Sequence, residues 1–139
     1  MASKGQMTGM LGVYLVAAEL TDRGFIVSPT SRSAMGADLL VTDQSCQKAW
    51  SVQVKTNRKA AKFWLLSKHA KTLKSDTHAY VFVNVKGKER PDFLVVSSHE
   101  VADRMHRVVR STGSTWYSLR LRDMPSKSEG WELFGDAGG

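Results

Sequence analysis

Two short stretches, GADLLV at residues 36–41 and WSVQVK at residues 50–55, decide the fold of this chain. Both are rich in branched apolar residues, which is typical of β-strands. The polar residues between them predict that the two strands pair as a hairpin. Because side chains alternate between the two faces of a strand, Gln53 and Lys55 project together, and Asp38 can lie beside Gln53. One carboxylate, one amide oxygen and one ammonium group would then converge.

The segment before these strands has the apolar spacing of an amphipathic helix. Between about Gly5 and Arg23 the apolar residues recur at intervals that place them on one helix face. Gly24 then supplies a stop signal. Residues 25–27 predict a short first strand, and Pro29 is expected to end it.

The segments after the hairpin predict further strands around one basic segment. Residues 79–85 and 92–96 are almost continuously apolar, as expected of strands that are covered on both faces. Residues 63–66 fit either a strand or the start of a helix. The basic residues that follow, as far as Lys74, are predicted to be helical or irregular.

This order of elements predicts an α/β fold in which a central mixed β-sheet carries helices on both sides. A second helix is expected from Ser97 to about Arg110, followed by an edge strand at residues 116–121. A chain of 139 residues is expected to form a single domain. Its core would occupy about residues 5–110, and residues 111–139 would form a C-terminal edge segment and tail.

The charge balance favours acidic partners. The chain has 20 Lys and Arg against 13 Asp and Glu, which gives a net charge of +7. Such a balance attracts polyanions through counterion release, without regard to their sequence. The cations Arg58, Lys59 and Lys62 follow Lys55 directly, although charge runs are also typical of a solvated surface.

Composition predicts a cytoplasmic protein without a membrane partner. No apolar run approaches the roughly 18 residues of a membrane span, and the first residues lack the apolar stretch of a signal peptide. Cys46 is the single cysteine, so an intrachain disulfide is excluded, and the four histidines show no zinc-ligand spacing. No organic cofactor is expected.

Glu19 in the first predicted helix, Ala37-Asp38 beside one strand and Gln53-Val54-Lys55 on the next resemble the PD-(D/E)XK nuclease superfamily, the restriction-endonuclease-like proteins. The superfamily includes archaeal Holliday-junction resolvases. The resemblance covers roughly residues 5–96 and depends on the order of elements as much as on these residues. It implies a restriction-endonuclease-like core and hydrolysis of phosphodiester bonds that depends on a divalent metal ion, Mg²⁺ or Mn²⁺.

The resemblance also implies a role for each residue. Asp38 matches the central metal-binding aspartate, Gln53 the second acidic position, Lys55 the lysine, and Glu19 the acidic residue that many members carry on the first helix. The backbone carbonyl of Val54 would add an oxygen ligand of the kind that Mg²⁺ prefers. Lys55 would orient or help to deprotonate the attacking water and offset charge on the phosphoryl oxygens.

Two positions depart from the family pattern. Ala37 replaces the proline, which has little chemical consequence because its neighbour supplies the ligand. Gln53 replaces an aspartate or glutamate, although the D…QxK pattern is similar to that of small intron-encoded and related nucleases with Gln at this position. A neutral amide attracts a cation less than a carboxylate does, and Glu19 is expected to restore a second negative charge.

Residues on both sides of the predicted site are expected to contact nucleic acid, by analogy with proteins that use Ser, Thr, Asn, Lys and Arg to hold phosphates. They are Ser31, Arg32 and Ser33 before Asp38, and Thr56, Asn57, Arg58, Lys59 and Lys62 after Lys55. The resemblance implies an endonuclease on DNA, including branched or junction DNA, and a homodimer in which two sites cut two strands.

The sequence is also compatible with other functions. The first alternative is a non-catalytic nucleic-acid-binding protein that retains the nuclease fold but has lost efficient metal binding through Gln53. RNA is a possible substrate because phosphate chemistry is shared with DNA. A third alternative is an interaction domain of a toxin or mobile element.

Overall fold

The computed structural model describes residues 1–31, 36–59 and 61–138. Within these ranges, the chain forms two α-helices, eight strands and three short 3-10 helices. The helices are α1 (Lys4–Asp22) and α2 (Ser98–Arg104). The strands are β1 (Ile26–Pro29), β2 (Leu39–Thr42), β3 (Ala49–Asn57), β4 (Phe63–Leu66), β5 (His78–Asn84), β6 (Asp92–Ser97), β7 (His106–Val109) and β8 (Thr115–Arg120). The 3-10 helices are Lys68–Lys71, Leu121–Asp123 and Trp131–Phe134.

The main sheet has five strands in the order β1-β2-β3-β5-β6. Strands β2 and β3 form the predicted antiparallel hairpin, with Leu39 opposite Val52. Strands β3 and β5 are parallel, and the other neighbours are antiparallel. Parallel neighbours need a crossover connection. The segment between Asn57 and His78 forms this crossover and contains β4 and the 3-10 helix Lys68–Lys71. The sheet is therefore mixed, as predicted.

Helix α1 covers one face of the main sheet. It begins at a capping box, in which Ser3 Oγ accepts from the Gln6 N–H at 3.1 Å and Gln6 Oε1 accepts from the Ser3 N–H at 2.8 Å. Its buried residues include Val16 and Leu20, which pack with the buried apolar side chains of β2, β3 and β5. The alternation along β3 directs Val52 towards this core.

A second apolar cluster covers the opposite face. Tyr80 and Phe82 of β5 pack there with Trp64 of β4, Val101 of α2 and Leu119 of β8. All seven residues of β5 are buried, which confirms that this strand is covered on both sides. The fold prediction of a central mixed sheet with helices on both faces is confirmed.

Three local predictions are wrong. Pro29 lies within β1, where it is tolerated because β1 is an edge strand. The second helix stops at Arg104 instead of continuing to Arg110, because Met105 is extended and the next residues pair with β8. Strand β8 is central in a second sheet, ordered β4-β8-β7, and is not an edge strand.

The C-terminal segment contributes to the main core. The Val95 N–H donates to the Glu129 carbonyl at 2.7 Å, so the segment runs beside β6. Trp131 and Phe134 then bury their rings in the cluster beneath α1. Among the described helices, none combines the length and apolar character that crossing a bilayer requires.

Candidate functional site

Asp38 lies directly before β2 and is held by three hydrogen bonds. Its N–H donates to the Val52 carbonyl at 2.8 Å, and its carbonyl accepts from the Thr30 N–H at 2.9 Å. Its carboxylate Oδ2 accepts from the Val54 N–H at 2.8 Å. Leu39 pairs with Val52, and the Asp38 N–H binds the carbonyl of that same residue, so Asp38 lies where the regular β2-β3 pairing ends. The structure therefore brings the Asp38 carboxylate to the backbone of β3 at Val54.

Gln53 and Lys55 are half-buried and line one cavity of about 280 Å³. The chain from Leu66 to Leu73 forms the opposite wall of this cavity. Asp38 lines a neighbouring cavity of about 400 Å³, between the first turns of α1 and the Val54 position of β3. The three residues thus lie at the boundary of two cavities, one on each face of the sheet.

The Lys55 ammonium is the perturbed group of this site. Burial lowers the pKa of Lys55 below the ordinary lysine value, and the negative charge of Asp38 partly opposes this effect. Burial disfavours the charged form because the ammonium loses water contacts, whereas a nearby carboxylate stabilises it. At neutral pH a larger fraction of Lys55 is therefore uncharged than of a solvated lysine. Its ammonium form interacts electrostatically with Asp38.

The oxygen donors at the site fit a hard divalent cation. Mg²⁺ commonly uses one or two carboxylates and keeps several water ligands, and the Asp38 carboxylate meets this minimum, while the ligand role of the Gln53 side-chain oxygen stays a prediction. The ligand role of the Val54 carbonyl stays a prediction. Across the described residues, no cluster of three or more His, Cys, Asp or Glu side chains could hold a metal ion. An ion here would depend on one carboxylate, neutral oxygens and water.

Glu19 is engaged in a different interaction. Its Oε1 accepts from Arg90 Nη1 at 2.7 Å and its Oε2 accepts from Arg23 Nε at 3.1 Å. Arg90 also donates to both carboxylate oxygens of Glu129, at 3.0 and 3.2 Å. The Arg90 hydrogen bond is the main cause of the lowered pKa of Glu19. We call these four residues the Glu19 cluster.

The structure does not bring Glu19 to Asp38. The α1 residues that line the Asp38 cavity are in its first three turns, up to Val13 and Tyr14. Glu19 is six residues beyond Val13, which is about 9 Å along the helix axis at a rise of roughly 1.5 Å per residue. None of the α1 residues that line the Asp38 cavity is acidic.

The expected nucleic-acid contacts divide into three groups. Ser31 lines the Asp38 cavity, whereas Arg32 and Ser33 lie outside the described residues. Arg58, Lys59 and Lys62 are exposed. The Thr56 hydroxyl is buried beneath α1, and Asn57 donates from Nδ2 to the Phe63 carbonyl at 2.8 Å. In this structure Thr56 packs in the interior, and Asn57 connects β3 to the start of β4.

Two residues of the Lys55 cavity were not identified from the sequence. Tyr80 lies opposite Gln53 in the parallel β3-β5 pair, and burial raises the pKa of its hydroxyl. His69 reaches the same cavity from the 3-10 helix Lys68–Lys71. No local motif marks either residue, because both come to the cavity through the crossover that makes β3 and β5 neighbours.

The comparisons with known proteins support the architecture. No protein-family model and no curated protein matches the sequence. Among solved structures, the chain is similar to Hjc of Archaeoglobus fulgidus, a Holliday junction resolvase from an archaeal hyperthermophile. The TM-score is 0.57 at 12% sequence identity, and the match covers 92% of this chain and 96% of that one. This chain therefore has an Hjc-like, restriction-endonuclease-like fold.

Proposed function

We propose that this protein is a divalent-metal-dependent endonuclease that hydrolyses phosphodiester bonds in DNA, with branched or junction DNA among its substrates. The observation that carries the proposal is the 2.8 Å hydrogen bond from the Val54 N–H to the Asp38 carboxylate, which holds this carboxylate against the strand that carries Gln53 and Lys55. Its support is the fold shared with a Holliday junction resolvase, together with the cationic balance of the chain.

Asp38, the Gln53 amide oxygen and the Val54 carbonyl would hold Mg²⁺ or Mn²⁺, with water in the remaining positions. When bound, the ion would polarise the phosphate and make a coordinated water more acidic. The hydrogen bond from the Val54 N–H orients the Asp38 carboxylate before any ligand arrives. Preorganised ligands of this kind reduce the ordering that binding requires.

Lys55 would act on the attacking water and on the phosphate. In its neutral form, which burial favours, the amine accepts a proton from the water. In its charged form, the ammonium offsets the negative charge that develops on the phosphoryl oxygens. Ser31, Arg58 and Lys59 would hold the phosphates that flank the cleaved bond.

A substrate panel tests the activity. The purified protein is incubated with supercoiled, linear, single-stranded and four-way-junction DNA, with Mg²⁺, with Mn²⁺ or with EDTA. We expect metal-dependent cleavage that Asp38→Asn and Lys55→Ala abolish, while the exposed controls Asp22→Asn and Lys88→Ala retain it. Cleavage that persists in both site variants, or that is absent from every substrate, would refute the proposal.

The proposed homodimer has a separate test. Light scattering or sedimentation at the working concentration measures the mass directly. A mass near twice 15.4 kDa is expected, and a monomer under conditions that support cleavage would contradict the dimer without affecting the nuclease proposal.

One observation favours the alternative, a non-catalytic nucleic-acid-binding protein. The site has a single carboxylate, since Gln53 is neutral and Glu19 is paired with Arg90 and Arg23. Calorimetric titration with Mn²⁺ distinguishes the two functions. Metal binding that Asp38→Asn removes supports the enzyme, whereas salt-sensitive DNA binding without metal or cleavage supports the alternative.

A further inference from the structure

A separate apolar groove of about 710 Å³ opens between the main sheet and the second sheet. Phe63 at the start of β4, Leu94 of β6, Leu121 after β8 and Met124 supply its apolar lining. Neither Asp38, Gln53 nor Lys55 contributes to it. The groove is thus distinct from the candidate nuclease site.

The apolar side chains of the groove are accessible and held in place. Phe63 is 45% exposed and Leu121 is 47% exposed. The Leu121 N–H donates to the Lys62 carbonyl at 2.7 Å, and the Met124 N–H donates to the Leu121 carbonyl at 3.2 Å. These bonds tie the chain after β8 to the start of β4. The groove is consequently a formed surface, and exposed apolar surface of this kind is characteristic of interaction sites.

Cations surround the groove. Lys62, Arg122 and Lys127 are exposed, and none of the three has an ion-pair partner among the residues that the structure describes. Arg120 also lines the groove but pairs with Asp123. No acidic residue is among the groove residues. Arg122 interacts electrostatically with Asp123, so an occupant that carries carboxylates would meet uncompensated positive charge chiefly at Lys62 and Lys127.

The positive charge at the edge of the groove and its apolar lining favour one kind of ligand over the others. In a two-fold symmetric dimer the same patch meets itself, so a second copy would place these cations against one another. Nucleic acid would match the charge, but single strands bind through successive bases stacked on aromatic rings, and Phe63 is the one aromatic residue among the described residues of the lining, whose other apolar members carry no ring. A peptide with apolar anchors and acidic neighbours matches both features.

We propose that this groove is a docking site for an acidic peptide segment of a partner protein, which inserts apolar side chains between Phe63, Leu121 and Met124. Carboxylates beside these anchors pair with Lys62, Arg122 and Lys127. Buried apolar anchors supply most of the affinity of such interfaces, and charges at the edge raise the association rate and make it sensitive to salt. Docking at this groove does not depend on nuclease activity.

The experiment selects ligands from a random peptide phage library on the intact protein. Enriched peptides are synthesised with a fluorescent label, and their Kd values are measured by anisotropy. We expect sequences that combine Leu, Phe or Met with Asp and Glu. Leu121→Glu should weaken their binding by at least about tenfold, the size of a central interface anchor. Lys127→Glu should weaken binding less and reduce its dependence on salt.

Ile26→Glu is the matched control, because Ile26 is an aliphatic side chain of 52% exposure on β1, an edge strand of the main sheet. This variant should bind the peptides as the unmodified protein does, and thermal unfolding of all variants verifies that they fold. Failure to enrich acidic apolar peptides, or equal binding by Leu121→Glu and Ile26→Glu, would overturn the proposal. A labelled single-stranded oligonucleotide that binds only when Leu121 is intact and displaces the peptides would also overturn it, in favour of a nucleic-acid site.

Discussion

Arg90 Nη1 donates to Glu19 Oε1 at 2.7 Å, so the acidic residue of the first helix serves to connect chain segments. Arg90 precedes β6, and it also holds Glu129 of the C-terminal segment. The Arg23 guanidinium stacks over the Trp131 ring at 4.8 Å from its centre. The Glu19 cluster thereby joins α1, the chain before β6 and the C-terminal segment.

Glu19→Gln is expected to lower the melting temperature by a few degrees and to leave Mn²⁺ affinity unchanged. The amide loses the charge that pairs with Arg90 and Arg23, while Asp38 keeps its own contacts. The effect is limited because the two arginine partners are exposed to solvent, at 55% for Arg90 and 38% for Arg23, and exposed ion pairs contribute little. Thermal unfolding and calorimetric titration measure the two quantities. If Glu19→Gln instead lost Mn²⁺ affinity and kept its stability, Glu19 would be a metal ligand and the prediction would be wrong.

Gln53→Glu is expected to tighten Mn²⁺ binding by about tenfold, a difference of roughly 1.4 kcal/mol. The substitution preserves the shape of the side chain and adds a second carboxylate on β3, the strand whose Val54 N–H binds the Asp38 carboxylate. Titration calorimetry provides the measurement, with Gln47→Glu as the control because Gln47 lies in the turn before β3. Equal affinities of Gln53→Glu and the unmodified protein would show that Gln53 does not contact the ion.

Gly12→Ala is expected to destabilise the protein by roughly 1–3 kcal/mol, the usual cost of overpacking. A Cβ at Gly12 would lie 1.7 Å from Thr56 Oγ1 and 2.8 Å from Thr56 Cβ, so α1 or β3 has to move. Gly9→Ala is the matched control on the same helix, since a Cβ there meets nothing within 4 Å. The control should gain about 0.5–1 kcal/mol from helix propensity. Denaturant unfolding of both variants measures the difference, and a stable Gly12→Ala would contradict the close approach of α1 to β3.

The stability of the protein is expected to decrease as the pH falls below about 6.5, because of His78. This imidazole is buried, its Nδ1 lies 2.6 Å from Ser51 Oγ, and burial lowers its pKa in the folded state. The unfolded chain therefore binds the proton at a higher pH than the folded chain. Above the pKa of His78 in the unfolded chain, the free energy of unfolding keeps its full value. It decreases as the pH falls from that pKa to the lower pKa of the folded state.

Melting temperatures between pH 5 and pH 8 measure this dependence. His78→Gln should flatten the curve in this window. The lowered pKa of Glu19 keeps that carboxylate ionised above about pH 4.5, so its own titration falls below the window. A curve that keeps its slope in His78→Gln would refute the assignment.

The local patterns were sufficient to predict the helix and the hairpin. The apolar spacing before Gly24 depends only on residues within one helix, and the alternation along β3 depends only on neighbours in one strand. These periodicities follow directly from backbone geometry. They also predicted that Asp38 lies at β3, where its carboxylate accepts from the Val54 N–H, because a hairpin is a local structure. The local patterns did not predict strand β7, because residues His106–Val109 form a strand only by pairing with β8.

The amino-acid sequence by itself determined the β2-β3 hairpin and the placement of Gln53 and Lys55 on one face of β3, with Asp38 directly before β2. Only the tertiary structure decided the position of Glu19, because its partner Arg90 is 71 residues away in the chain. The same is true of Tyr80, which faces Gln53 through the parallel pairing of β3 and β5, and of the groove at Leu121. Spacing specifies which side chains share one element, whereas contacts between elements depend on packing that no local pattern encodes.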